Sequence, residues 1–244
     1  MPERPIIGIL LDHEQSGTFS ARPHYALRTG YFDAVWQAGG FPIGIPYLTA
    51  AMNEYLNHID ALITPGGRFQ FPESWYDGET RSQTPIISSE EMPRLAFETA
   101  LIHHVLDQDM PLLGICCGMQ ILAGYKGATF YRDVGKETET TIDHLNERPA
   151  DQTAHDIKIT PDSLLHRITG KEEMAVNTAH GEAIRTLPDG INITAVAPDG
   201  VIEAIELPEY RFALGVQWHP EFFLTKGDAN RAIIEAFIEA AKQS

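Results

Sequence analysis

Two adjacent cysteines, Cys116 and Cys117, are the only thiols in this chain of 244 residues, and they stand between a predicted strand and a predicted helix. Gly114 lies two residues before Cys116, and Gly118 lies two residues after it. A sharp strand-to-helix turn that exposes a nucleophile needs small residues at these places, and the start of a helix favours a thiolate. We interpret Cys116 as a nucleophile and Cys117 as a donor of its backbone N–H. The alternative is that both are small buried hydrophobes.

A histidine follows directly after a predicted buried strand at 212–218, near the C-terminus. Residues two apart in an extended chain point the same way, so Glu221 can hydrogen-bond one ring nitrogen of His219 while the other faces a thiol. The pattern predicts a general base and the carboxylate that orients it. The alternative is a surface pair or a core histidine whose hydrogen bonds are satisfied.

Pro65-Gly66-Gly67 ends another predicted strand, at 61–64. Glycine lets backbone amides approach a substrate closely, so the N–H groups of Gly67 and Cys117 can hold an oxyanion. Such donors each stabilise a transition state by about 3 kcal/mol. An ordinary tight turn is the alternative.

Strands and helices must alternate to bring these three segments together. Hydrophobic patterning predicts the first half as strands at 5–11, 41–46, 61–64 and 110–115 with helices at 25–37, 90–108 and 118–125. The second half is richer in strands, predicted at 157–159, 174–176, 193–197, 201–207 and 212–218 before a last helix at 228–242. We predict one α/β domain over residues 1–244, a three-layer sandwich around a mixed, mostly parallel sheet.

The predicted loop from Arg68 to Ser89 is too long for a simple connector. Its aromatic side chains either close over a substrate and exclude water or pack against one another. They are Phe69, Phe71, Trp75 and Tyr76.

Composition excludes several classes of partner. A formal charge of −16 repels phosphate backbones and anionic membranes. Neighbouring cysteines are badly placed for a disulfide, and no apolar run has the length of a membrane span or a signal-peptide core. The ten histidines show no spacing typical of a metal site. We therefore expect a cytoplasmic protein that uses neither metal nor cofactor and binds no nucleic acid or membrane.

The three chemical segments together resemble the class I glutamine amidotransferase-like superfamily, and within it the peptidase C26 family that includes γ-glutamyl-γ-aminobutyrate hydrolases. Residues 114–120 are similar to the nucleophile motif of that family, and residues 215–221 are similar to its His-x-Glu segment. Weaker likenesses occur in the family's order at 38–42, 65–67, 127–133, 177–180 and 199–204. The likeness spans nearly the whole chain.

The resemblance implies a flavodoxin-like class I glutamine amidotransferase fold, a Cys116, His219, Glu221 triad and a γ-glutamyl thioester that water resolves. It also implies a small γ-glutamyl substrate, a place in polyamine or amino-acid catabolism, and leaves a homodimer possible. The residues that it implies for substrate binding are Gly66, Gln120, Asn177, Thr178 and His180.

The chain departs from the family's usual residues around the pocket. Cys117 stands where Arg is usual after the nucleophile, and Phe69 where an acidic residue is usual in the glycine loop. Ala123 replaces an expected Asn, and Glu182 replaces an expected Gln. These departures leave the reaction class intact and put the amine half of the substrate in doubt.

Two other functions fit the same residues. A glutaminase subunit that passes ammonia to a synthetase would use the same triad, although this chain has no acceptor domain. A regulatory protein that binds a γ-glutamyl ligand without turnover is the second, and the presence of all three triad residues argues against it.

Overall fold

A mixed sheet of nine strands forms the centre of the computed structural model, which describes residues 4–67, 71–78 and 92–243. The described residues contain thirteen strands, nine in this sheet and four in two small sheets: β1 (Ile6–Leu10), β2 (Asp12–Glu14), β3 (His24–Ala26), β4 (Phe41–Ile45), β5 (Ala61–Thr64), β6 (Leu112–Ile115), β7 (Thr129–Tyr131), β8 (His155–Ile159), β9 (Glu173–Val176), β10 (Ala183–Thr186), β11 (Asn192–Val196), β12 (Ile202–Glu206) and β13 (Ala213–Val216). The helices are α1 (Thr29–Ala38), α2 (Met52–His58), α3 (Pro93–Asp107), α4 (Cys117–Tyr125), α5 (Val134–Glu137), α6 (Leu164–Thr169) and α7 (Ala229–Ala241).

The order of strands in the main sheet is β4-β1-β5-β6-β13-β12-β11-β8-β9. Strands from β4 to β13 pair in parallel, and those from β13 to β9 pair antiparallel. β5, β6 and β13 are buried along their whole length, as expected for parallel strands covered on both faces. Their carboxyl ends lie side by side, which brings the segments after Thr64, Ile115 and Val216 to one edge of the sheet.

Helices cover both faces of this sheet. Alternate residues of a strand point to opposite faces, so Leu62 and Leu112 pack with α2, α3 and α4, whereas Ile63 and Leu113 pack with α1, α6 and α7. The predicted three-layer α/β architecture is confirmed. Its core is two apolar layers separated by the sheet.

The first predicted helix begins later than its sequence pattern suggests. His24–Ala26 pairs with Asp12–Glu14 as a small antiparallel hairpin, and Arg28 keeps an extended backbone, so α1 starts at Thr29. It ends as predicted at Gly39, whose φ of 99° is left-handed. The hairpin stands over the carboxyl ends of the parallel strands and becomes one wall of the cleft described below.

The described aromatic residues of the long loop pack inward. Phe71 and Trp75 are each 2% exposed and lie against Phe130 of β7. This favours the interpretation that the loop packs on its own aromatics. The family resemblance predicted that Phe69 replaces an acidic residue of the pocket. Phe69 lies outside the described residues.

Candidate active site

Cys116 occupies a strained turn between β6 and α4. Its φ of 52° is positive, a conformation that costs a residue with a side chain about 1–3 kcal/mol and is common at functional turns. The turn is fixed on both sides: the Cys116 N–H donates to the Val216 carbonyl at 2.7 Å, and the Gln120 N–H donates to the Cys116 carbonyl at 3.2 Å. A Cβ on Gly118 would lie 2.0 Å from the Thr64 carbonyl oxygen, so this turn requires glycine there.

His219 and Glu221 form a hydrogen-bonded chain with Cys116. The Cys116 thiol hydrogen-bonds the His219 ring, and Nδ1 of that ring lies 2.8 Å from Oε1 of Glu221. All three side chains are buried. Glu221 lies in a short 3-10 helix, Pro220–Phe222, so a tight turn rather than an extended chain brings it beside His219.

The backbone of His219 is held from two sides. The Asn177 side chain accepts from the His219 N–H at 2.8 Å and donates to its carbonyl at 3.1 Å. The preceding Trp218 donates its ring N–H to Asn230 of α7 at 2.7 Å. The imidazole therefore has little freedom to turn away from Cys116.

The hydrogen-bonded residues Cys116, His219 and Glu221 favour a negatively charged thiol and a positively charged imidazole. Burial lowers the pKa of His219, but the charges of Glu221 and Cys116 outweigh it and raise that pKa to about 10. Burial raises the pKa of Cys116, but the charge and hydrogen bond of His219 outweigh it and the pKa falls below its ordinary value. Both shifts favour the thiolate–imidazolium form of the pair, which is the reactive form of a cysteine nucleophile.

The second cysteine has the opposite character. The Cys117 thiol is 3% exposed and packs in the core, where burial raises its pKa well above the ordinary value. Its backbone N–H donates to the Cys116 sulfur. Only the backbone of Cys117 faces the nucleophile.

A buried arginine, Arg94 of α3, holds the glycine loop after β5. Its guanidinium donates to the carbonyl of Pro65 at 2.7 Å and to that of Gly66 at 3.4 Å. Its Nε donates to Glu98 at 3.0 Å. Arg94 therefore fixes the carbonyls of this loop, and Gly67 lines the cleft beside Cys116.

Two cavities meet at Cys116. The larger, about 600 Å³, is lined by Asp12, His13, Glu14, Ala26, Leu27, Arg28, Tyr31, Gly66, Gly67, Cys116, Ala179 and His219. The smaller, about 320 Å³, is lined by Gly67, Cys116, Gln120, Leu145, Ala179, His180, Gly181 and Glu182. A substrate that spans both cavities would have its central bond at the sulfur.

Comparison with known proteins assigns the family. The profile of peptidase C26 matches residues 5–221. The chain belongs to the peptidase C26 family. A Rickettsia prowazekii protein described as glutamine amidotransferase-like is 31% identical, with 99% of each chain covered. The γ-glutamyl-γ-aminobutyrate hydrolase PuuD of Escherichia coli is 26% identical, covering 98% of this chain and 94% of that protein.

A solved structure supports the fold. The glutaminase domain of Trypanosoma brucei CTPS with bound acivicin superposes with a TM-score of 0.64 at 16% identity, covering 98% of this chain and 94% of that one. The predicted class I glutamine amidotransferase fold is therefore confirmed. Among the described residues, none of the helices has the length and apolar character needed to cross a membrane.

The peptidase C26 resemblance predicted five substrate-binding residues, and the structure places three of them in the lining of the cavities. Gly66, Gln120 and His180 line the cavities. Asn177 and Thr178 line neither cavity within the described part of the chain. Their side chains bond backbone groups instead: Asn177 those of Ala150 and His219, and Thr178 the carbonyl of His144.

The departures from the peptidase C26 pattern fall in different places. Ala123 is fully buried in the core side of α4 and lines neither cavity. Glu182 lines the smaller cavity and accepts a short hydrogen bond from the Tyr76 hydroxyl. Burial raises the pKa of Glu182, while Tyr76 and Arg132 act against that rise. Of the described departures, Glu182 is the one whose side chain meets the cleft.

Gln217, Tyr31 and Arg94, which the sequence did not single out, complete the site together with the predicted Gln120. The Gln120 side chain donates to the backbone carbonyl of Glu182 at 2.8 Å and to the side-chain oxygen Oε1 of Gln217 at 3.1 Å. Gln217 in turn donates to the Cys116 sulfur at 3.6 Å. Tyr31 accepts from the Gly66 N–H at 2.9 Å. The only available signal was that Gln217 lies two residues before His219; nothing in the sequence marked Tyr31 or Arg94.

Proposed function

We propose that this peptidase C26 protein hydrolyses γ-glutamyl amides, with Cys116, His219 and Glu221 as its catalytic triad. The observation that carries the proposal is the buried Cys116–His219–Glu221 chain at a strained turn where two cavities meet. The family supports a hydrolase, and the PuuD relative is named for γ-glutamyl-γ-aminobutyrate.

The chain's own groups can complete each step. The Cys116 thiolate attacks the γ-carbonyl carbon, and the N–H groups of Gly67 and Cys117 stabilise the oxyanion. The His219 imidazolium gives its proton to the departing amine as the C–N bond breaks, which leaves a γ-glutamyl thioester. Neutral His219 then takes a proton from water, the hydroxide attacks the thioester, and the thiolate and glutamate are released.

The two cavities carry different charged side chains, which suggests how a substrate lies: Glu182 lines the smaller cavity, and Arg28 lines the larger one together with Asp12 and Glu14. Glu182 in the smaller cavity can pair with the α-ammonium of the glutamyl half. In the larger cavity Arg28 is exposed and forms no ion pair within the described residues, so it can bind a carboxylate on the amine half. We place γ-glutamyl in the smaller cavity and an amine such as γ-aminobutyrate in the larger.

The test is steady-state release of glutamate from γ-glutamyl-γ-aminobutyrate, other γ-glutamyl amides and glutamine. We expect turnover of the amides by the wild type and none by Cys116→Ala, whose folding is checked by thermal unfolding. Alkylation mapped by mass spectrometry should mark Cys116 before Cys117, because only the first thiol has a lowered pKa.

Two results would contradict the proposal. Equal turnover by Cys116→Ala would exclude this nucleophile. A wild type that alkylates at Cys116 yet releases glutamate from none of the substrates would favour a partner-dependent glutaminase or a binding protein.

A further inference from the structure

Three histidines surround one buried carboxylate behind the smaller cavity. Glu203 of β12 is 0% exposed. His144 Nδ1, His155 Nε2 and His180 Nε2 lie 3.5, 3.6 and 3.5 Å from its Oε1. The histidine side chains are 1%, 5% and 3% exposed, so all four groups are removed from solvent.

The outer nitrogen of each histidine is already bonded. The acceptors are the Asp199 carboxylate for His144, the Asp156 carbonyl for His155 and the Glu182 carbonyl for His180, at 2.9, 3.0 and 2.9 Å. Hydrogen bonds from Thr140 and His144 outweigh burial and lower the pKa of Asp199, so it remains an acceptor. Each outer nitrogen therefore carries the N–H, and each inner nitrogen carries a lone pair.

The inner atoms lack hydrogen-bond partners within the described residues. These atoms are His144 Nδ1, His155 Nε2, His180 Nε2 and both oxygens of Glu203. Separations of about 3.5 Å exceed the usual 2.7–3.2 Å of an N–H···O bond. Buried polar groups are normally paired, and four electron-rich atoms that converge without a positive charge between them repel one another.

The separations of His144 Nδ1 and His155 Nε2 from Oε1 of Glu203, 3.5 and 3.6 Å, are close to those between ligands of a tetrahedral metal ion. Metal–ligand bonds of about 2.0–2.1 Å place neighbouring ligand atoms about 3.3–3.4 Å apart in a tetrahedron. The donor atoms of His144, His155 and Glu203 lie within 4.8 Å of one another. In metal sites the second ring nitrogen of a ligand histidine usually donates to an acceptor that orients the ring, as the outer nitrogens do here. We propose that His144, His155 and Glu203 bind a divalent transition metal ion, for which Zn²⁺ is the best match.

A proton is the competing occupant. Glu203 and Cys116 outweigh burial and raise the pKa of His180, whereas burial and His180 lower the pKa of His144. One proton on His180 would satisfy one inner nitrogen and leave two without a partner. A metal ion held by His144, His155 and Glu203 satisfies those two nitrogens and the carboxylate at once.

The proposed ion would have a structural role. The three protein ligands come from β8, β12 and the loop that carries His144. His180 lies beside them, with Nε2 3.5 Å from Oε1 of Glu203, and it also lines the smaller cavity beside Cys116. The ion would therefore fix one wall of the cleft. This proposal revises the sequence-based prediction that no metal is used, and it does not depend on the substrate.

The test begins with the full chain purified without chelators. We expect about one equivalent of metal per chain by elemental analysis, removable by a strong chelator. Titration of Co²⁺ into the stripped protein should give the intense visible absorption of a tetrahedral site and saturate at one equivalent. Glu203→Gln and His155→Ala should lose both the metal and the absorption. His58→Ala, which alters an exposed histidine at the end of α2, is the matched control and should keep them.

Wild-type protein that contains no metal and binds neither Zn²⁺ nor Co²⁺ would overturn the proposal, even if the variants fail to fold. Binding that persists in Glu203→Gln, or that disappears in His58→Ala, would place the metal elsewhere and overturn it equally.

Discussion

The buried carboxylate of Glu221 strongly affects the charge state of His219. Glu221 lies 2.8 Å from Nδ1 and is 1% exposed, so little solvent weakens its effect on the ring. Its negative charge favours the imidazolium, and together with Cys116 it raises the pKa of His219 to about 10. The proposed triad should therefore stay active on the alkaline side of neutrality, until His219 loses the proton that the leaving amine needs.

Replacing Glu221 by Gln should move this alkaline limit. Without the carboxylate the imidazolium is less stable, so the pKa of His219 falls and the alkaline limb of kcat/KM shifts down by about one pH unit or more. The measurement is kcat/KM against pH together with the alkylation rate of Cys116. Glu235→Gln, at an exposed ion pair on α7, is the control and should leave the limb in place. An unchanged limb in Glu221→Gln would show that this carboxylate does not set the charge of His219.

Arg28 should determine which amine half of a substrate the protein prefers. If it binds a carboxylate on that half, Arg28→Ala raises KM for γ-glutamyl-γ-aminobutyrate by about 10-fold, the loss of roughly one charged hydrogen bond. KM for glutamine, whose leaving group carries no carboxylate, should change little. Arg22→Ala, an exposed arginine of the segment between β2 and β3, is the control. Equal effects on both substrates would remove Arg28 from substrate recognition.

At the scale of elements, α3 positions the loop that follows β5. Arg94 joins the carbonyls of Pro65 and Gly66 to Glu98 one turn along the helix. Burial raises the pKa of Glu98 to about 7 even though Arg94 lowers it, so removing the arginine outright would leave an unpaired buried carboxyl. A substitution that keeps the positive charge and loses the planar fork tests the position of the loop separately from the charge.

Arg94→Lys should lower kcat by about 10–100-fold, because a small displacement of an oxyanion donor costs much of its stabilisation. Alkylation of Cys116 should continue, since the Cys116–His219 pair is untouched. Arg231→Lys is the matched control: Arg231 of α7 likewise pairs with a glutamate four residues on and donates to a backbone carbonyl. Loss of alkylation in Arg94→Lys would show that the arginine acts on the nucleophile rather than on the loop.

The sequence predicted the elements that have a continuous apolar run or several helical periods, and it missed short elements that have neither. Continuous apolar runs predict β1, β5 and β6 as buried strands, and the sequences of α3 and α7 show several helical periods. α2 and α6 have seven and six residues, and β7 and β10 have three and four. So few residues complete too few periods to separate helix, strand and turn, and tertiary packing decides their conformation.

The candidate site was predictable where its residues are consecutive in sequence. Residues 114–118 and 219–221 carry their chemistry in local spacing, and the structure brings the two segments together through the pairing of β6 with β13. The clamp by Arg94 and the cluster around Glu203 are different. Their members lie far apart in the chain and meet only after the sheet has formed, so no spacing rule could identify them.

At the scale of the whole molecule, an aromatic layer formed by Phe71, Trp75 and Phe130 over α4 connects the stability of the core to the cleft. Trp75 stacks on Phe130 and lies against Gly124, and a Cβ at Gly124 would be 2.2 Å from its ring. The residue after Trp75 is Tyr76, whose hydroxyl donates to Glu182 in the smaller cavity. A change that displaces the indole should therefore affect both the core and the proposed glutamyl site.

Gly124→Ala tests this connection. The added methyl group has no space beside a ring that is 2% exposed, so we expect a loss of about 1–3 kcal/mol in the free energy of unfolding, measured with urea. Gly135→Ala is the matched control: this helical glycine of α5 meets only Asp133 at 3.5 Å, and the substitution should be neutral or stabilise by up to about 1 kcal/mol. KM for the γ-glutamyl substrate should rise in Gly124→Ala alone, because Tyr76 moves with Trp75. A destabilised variant with unchanged KM would show that the aromatic layer supports the core without positioning Glu182.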